Sequence, residues 1–114
     1  MNQEISSGDI CWVDMPKTAG SCQFGIRPAI IISNKMCLKN SPTLQVVLCT
    51  SKSKNQLPVH MELPKFSFGL NQKTTVLAES ITTISRNVIQ HKIGSLDENT
   101  FDKVKNLVLL QLGI

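Results

Sequence analysis

The sequence predicts a small, mainly β domain, a barrel or a sandwich, followed by a C-terminal helix. Three observations carry that prediction. Short strand-like runs divided by Gly, Pro, Asn and Ser clusters fill the first 95 residues, with no alternation of strands and long helices. Near the end the apolar spacing changes to the helical period. The 114 residues contain no repeat, linker or low-complexity stretch, so residues 1–114 make one domain with one modest core.

Each element follows from its own chemistry. Ile10-Cys11-Trp12-Val13 is a strand stopped by Met15-Pro16, with Trp12 expected in the core. Lys17 to Gly25 is a loop with little to bury. Pro28 to Ser33 is apolar on both faces, the pattern of a central strand, and Asn40-Ser41-Pro42 turns the chain into a strand over Leu44 to Leu48. Ser51 to Gln56 is a polar, basic loop. Pro58 to Leu63 reads as an edge strand, because Pro58 cannot donate to a ladder. Phe66 to Lys73 is expected to be a loop holding one or two buried aromatics. Thr75 to Ala78, Ile81 to Ile84 and His91 to Gly94 read as three more short strands. Asp97 or Ser95 then caps a helix in which Phe101, Val104, Leu107, Val108 and Leu112 share one face, and Gly113 ends it. Leu109 and Leu110 widen that stripe beyond the needs of one small domain, which predicts contact with a second chain.

Composition narrows the function. The longest apolar run, Ala29 to Ile32, is far short of a membrane span, and the N-terminus lacks the basic flank and apolar centre of a signal peptide. A cytoplasmic protein with no membrane partner is expected. A net charge of +4 favours an acidic or phosphate-bearing partner without establishing one. Cys11, Cys22, Cys37 and Cys49 form no C-x-x-C pair, and the carboxylates are scattered singly. No metal site and no cofactor are therefore expected. His60 and His91 have no carboxylate at a telling spacing and read as structural.

The informative stretch is Gly20 to Pro28, where a loop runs into Arg27 and a buried strand starts directly after it. Pro28 restricts Arg27 to extended backbone, and a guanidinium held at a strand entrance is suited to gripping phosphate. A structural ion pair is the competing explanation. Thr50-Ser51 closes another strand beside Lys52 and Lys54, with hydroxyls and ammonium groups able to meet phosphate oxygens, or to form an ordinary turn. Phe24, on a glycine-flanked loop, is placed to stack on a base or to pack on the barrel.

Taken together, Gly8-Asp9-Ile10, Trp12-Val13-Asp14, Gly20-Ser21, Gln23, Gly25, Arg27-Pro28, Thr50-Ser51, Leu57-Pro58 with His60, and Leu77-Ala78-Glu79 resemble the MazF/PemK family in order and spacing. That family comprises ribonuclease toxins of bacterial type II toxin–antitoxin pairs. The resemblance implies an SH3-like β-barrel with a C-terminal α-helix, a homodimer, and metal-independent cutting of single-stranded RNA at a short sequence. It also implies silencing by a cognate antitoxin in a complex that binds DNA. The catalytic arginine and threonine of the family fall on Arg27 and Thr50, and its RNA-contacting loop on Ser21 and Gln23. Three positions depart from the family pattern. Cys22 stands where the family has Glu, and a thiolate there is a possible substitute for the missing base. Ser80 and Thr82 replace Gln and Arg near the RNA groove. An alternative function follows from those changes: a weakened or inactive relative that binds RNA or an antitoxin without chemistry.

Overall fold

The structure is a computed structural model that describes residues 4–17, 24–52 and 56–114. Its elements run β1 (Asp9–Met15), β2 (Gly25–Ile31), α1 (Lys35–Asn40), β3 (Thr43–Thr50), β4 (His60–Leu63), β5 (Thr74–Ser85), a 3-10 turn (Arg86–Val88), β6 (Ile89–Ser95) and α2 (Glu98–Leu112). The strands form one six-stranded sheet in the order β4-β5-β3-β2-β1-β6, with every neighbouring pair antiparallel. The expected SH3-like barrel is thus a curled sheet with β4 and β6 at its edges, and a C-terminal helix follows it. Edge placement of β4 agrees with Pro58 just before it.

Strand alternation builds two cores, one on each face. Ile10, Ile30, Val47, Cys49 and Val76 point to one side, where Val104 of α2 is fully buried among them and Phe101 packs alongside. Cys11, Val13, Ala29, Ile31, Val46 and Leu48 point to the other, covered by Leu38 of α1 and by Ile84. Double coverage explains why β2 reads as apolar on both faces. Burial of each large side chain here stabilises by about 1.5–3 kcal/mol.

Several expectations are corrected. Thr75 to Ala78 and Ile81 to Ile84 are one strand, β5, bent where its pairing with β3 slips between Val47↔Ile81 and Cys49↔Val76. The first half of β5 pairs with both β3 and β4, and beyond the bulge the second half continues along β3. α1 was not expected. Asn34 caps it by accepting from the N–H groups of Met36 and Cys37. Trp12 is half-buried rather than in the core, because β1 carries it past the end of the first core. In the Phe66 to Lys73 loop, Phe66 is 75% exposed and Leu70 is the buried residue, with Phe68 half-buried.

That loop is pressed against β6. Gly69 has φ +86, and a Cβ there would stand 2.4 Å from the Ile93 carbonyl oxygen; a Cβ on Gly94 would stand 2.0 Å from the oxygen of Phe68. Only glycine fits at both points of this interlock. Phe66 and Phe68 also hold positive φ, at 68 and 52, a conformation costing roughly 1–2 kcal/mol per L-residue.

At the C-terminus, Asp97 caps α2 by accepting from the Thr100 N–H at 2.7 Å, and Gly113 ends it in the left-handed region. Hydrogen bonds from the Thr100 side chain and then its backbone N–H, with help from the Lys103 charge, hold the Asp97 carboxyl below its ordinary range. Among the described residues, no helix is long and apolar enough to cross a membrane.

Candidate active site

The β2–β3 ladder brings the two leading candidates together. Ala29 pairs with Leu48, Ile30 with Val47 and Ile31 with Val46. Carrying that register two residues further sets Arg27 opposite Thr50, on the face of the second core. The contact is present: Arg27 Nη1 donates to Thr50 Oγ1 at 3.3 Å, and Arg27 Nε donates to the Phe24 carbonyl at 3.0 Å. Two anchored N–H groups and the extended backbone before Pro28 fix the guanidinium plane. Among the described residues nothing takes its other N–H groups and no carboxylate pairs with it.

Thr50 is 1% exposed, and its hydroxyl oxygen also accepts from the Lys52 backbone N–H at 3.2 Å. A threonine oxygen has two acceptor sites and one proton. Both acceptor sites are occupied, so the proton is the part left to give. The pair therefore offers a fixed positive charge and a hydroxyl donor side by side, suited to an anion that arrives from outside.

The remaining candidates are distributed unevenly. Phe24 is 43% exposed, with Lys17 Nζ 5.2 Å from its ring centroid. Ser51 and Lys52 are exposed and directly follow Thr50. Ser80 is half-buried in the β5 bulge, with no hydrogen bond to the Arg27–Thr50 pair. Thr82 pairs with Val46. Ser21, Cys22, Gln23 and Lys54 lie outside the described residues. Of the other thiols, Cys37 is exposed on α1, while burial pushes Cys11 up to about 11 and Cys49 up to about 12. Those two stay protonated and unreactive at neutral pH. No three His, Cys, Asp or Glu side chains converge on a metal-sized site among the described residues.

One pair was missed. His60, nearly buried, places Nε2 2.8 Å from Glu79 Oε2, and its Nδ1 accepts from the Leu57 N–H at 3.2 Å. No carboxylate stands at a telling spacing from His60 in the sequence, and Glu79 is the partner the fold supplies, whereas His91 is exposed on β6. Nineteen residues separate His60 from Glu79, and the β4–β5 ladder closes the gap by pairing His60 with Leu77. The bond ties the end of the β3–β4 loop to the β5 bulge, which is a structural role. Leu57-Pro58-x-His60 was visible as a motif; its partner was not.

The fold is thus a small β protein, a curled antiparallel sheet backed by a helix, with an arginine and a donor hydroxyl in contact at the ends of two strands. Residues 6–112 match the family described as PemK-like, MazF-like toxin of type II toxin–antitoxin system. The chain belongs to that family. It is 33% identical over 108 residues to "Endoribonuclease MazF" of Staphylococcus saprophyticus, covering 94% of this chain and 90% of the relative. Its fold matches crystalline MazF from Deinococcus radiodurans with a TM-score of 0.84 at 22% identity, covering 99% of this chain and all of the other. It also matches an endoribonuclease in complex with its cognate antitoxin from mycobacterial species, with a TM-score of 0.78 at 19% identity and 97% of each chain covered.

Proposed function

We propose that the protein is a sequence-specific endoribonuclease toxin that cuts single-stranded RNA without a metal ion and is neutralised by a cognate antitoxin. The observation that carries this reading is the Arg27–Thr50 contact, in which guanidinium N–H groups and a hydroxyl proton without other partners among the described residues stand side by side. Membership of the toxin family and the activity named for the staphylococcal relative support the same reading. The mycobacterial complex supports an antitoxin partner.

The chemistry follows from those two groups. The 2′-hydroxyl beside the scissile phosphate attacks phosphorus and gives up its proton to solvent water, negative charge gathers on the equatorial oxygens, and the 5′-oxygen leaves, taking up a proton. A 2′,3′-cyclic phosphate remains on the upstream fragment. Arg27 meets the growing charge with N–H groups already oriented, so no reorganisation is needed during reaction. Thr50 donates its proton to the same oxygens or relays it towards the departing 5′-oxygen. Arg27 does not act as base, because a guanidinium keeps its proton. Phe24, Ser51 and Lys52, next to the pair along the chain, hold adjacent nucleotides, and Ser80 in the β5 bulge contacts a further one. Leu109, Leu110 and Leu112, each about half exposed on the last turns of α2, supply an apolar stripe for a homodimer.

The test is a digest of a long single-stranded RNA in EDTA, with the ends of every fragment mapped. Few cut sites and cyclic-phosphate termini are expected. Saturable RNA binding without turnover would instead make the protein a binding module.

A further inference from the structure

We propose that the cleft at the open end of the first core is a subsite for one pyrimidine base of the RNA, reached over the β2–β3 rim from the Arg27–Thr50 pair. The inference rests on the nuclease reading for its ligand, and on the cleft itself for its location. Trp12 and Pro28 are cross-strand partners on the face that carries Ile10 and Ile30, and they form a wall where that core runs out. Buried Leu70 and half-buried Ile93 complete the apolar lining. The Gly69–Gly94 interlock fixes the loop that carries Leu70, so the cleft is preformed.

Size and chemistry select the occupant. The cavity volume is about 150 Å³, close to that of an engineered apolar cavity that admits a single benzene ring. A one-ring base is fully covered in such a space, whereas a two-ring base extends past the open mouth of the cleft and buries less of its surface. Asn71 and Gln72 border the cleft, and among the described residues nothing else takes their side-chain amides. Each amide offers a donor and an acceptor, as an unstacked base edge requires, and an indole supplies a stacking surface. No carboxylate lines the cleft to repel a nucleotide.

Position links the cleft to the reaction. Pro28 directly follows Arg27 and Ser51 directly follows Thr50, yet each lining residue faces the opposite side of the sheet from its neighbour. A strand of RNA with a phosphate on Arg27 and Thr50 can therefore fold an adjoining base over the strand ends into the cleft. The subsite would make a pyrimidine part of the recognised sequence.

Trp12 is the only tryptophan in the chain, so its fluorescence reports on the cleft directly. The experiment titrates the whole protein with a deoxyuridine hexamer, which lacks the attacking hydroxyl and cannot be cut. A deoxyadenosine hexamer and an abasic hexamer carry the same backbone charge. Saturable quenching is expected with deoxyuridine, at least about tenfold weaker binding for the abasic strand, and weaker binding for deoxyadenosine. The Asn71→Ala/Gln72→Ala variant changes two exposed residues and should weaken deoxyuridine binding about tenfold while the fold is kept. Equal responses to all three strands, preference for deoxyadenosine, or an unaffected variant would overturn the subsite, as would quenching only by an apolar peptide. Quenching in a protein that never cuts RNA would retain the subsite and remove the nuclease, and Arg27-dependent cutting without base-dependent quenching would do the reverse.

Discussion

The chain has two arginines, Arg27 and Arg86, and their surroundings divide their roles. Arg86 opens the 3-10 turn, donates Nε to the Ser41 carbonyl at 2.8 Å and gives an Nη2 proton to the Leu38 carbonyl. Those carbonyls belong to the C-terminal end of α1, where helical carbonyls lack partners and partial negative charge collects. Arg86 is therefore a cap, spent on the backbone. Arg27 uses one N–H on the backbone and one on a hydroxyl, and among the described residues the rest have no partner. The same side chain stabilises the fold in one place and is left available in the other, and the difference is which acceptors the local chain presents.

The largest expected effect falls on activity. Arg27→Ala should lower the cleavage rate by roughly 10²–10³, with the thermal midpoint nearly unchanged, as circular dichroism would record. Thr50→Val keeps the shape and removes the proton, and should cost roughly 10² in rate, with Thr50→Ser recovering most of it. Arg86→Ala reverses the pattern. Urea unfolding should show a loss of about 1–3 kcal/mol from unpaired carbonyls, while the folded fraction cuts RNA at the parental rate. If Arg86→Ala silences cutting without destabilising the fold, the contrast between the two arginines is broken.

The smallest effect concerns pH. The folded Asp97 carboxyl lies below its ordinary value, so its cap contributes stability above the unfolded carboxylate pKa and loses it as pH falls through the folded pKa. The thermal midpoint of the parent should therefore drop in acid more than that of Asp97→Asn, which keeps a capping oxygen without the charge. Parallel curves for the two proteins would remove the electrostatic part of the cap.

Much of this could be read in advance where the signal is local. Short strand-like runs bounded by turn residues marked β1, β3 and β6, two-sided apolarity marked β2, and capping chemistry with helical spacing marked α2. What escaped depends on contacts distant in the chain. β5 looked like two strands because polar Glu79-Ser80, at its bulge, separates two short strand-like runs. α1 is short, and its one local cue was Asn34 ahead of Lys35 to Lys39. Trp12 sits in an apolar strand, and only the point where the core ends leaves it partly open. His60 and Glu79 meet through a ladder that no spacing rule contains. Arg27 and Thr50 were legible as separate polar rim residues, and their pairing came from family resemblance; the β2–β3 register accounts for it physically.

The most direct test of the Arg27–Thr50 pair is a double-mutant cycle on single-turnover RNA cleavage in EDTA, using the parent, Arg27→Ala, Thr50→Val and the combined variant at equal folded concentration. Groups that act as one unit predict that the combined variant is about as slow as Arg27→Ala alone. Losses that multiply would mean that the two groups work independently, and a parental rate for Arg27→Ala would contradict the mechanism outright.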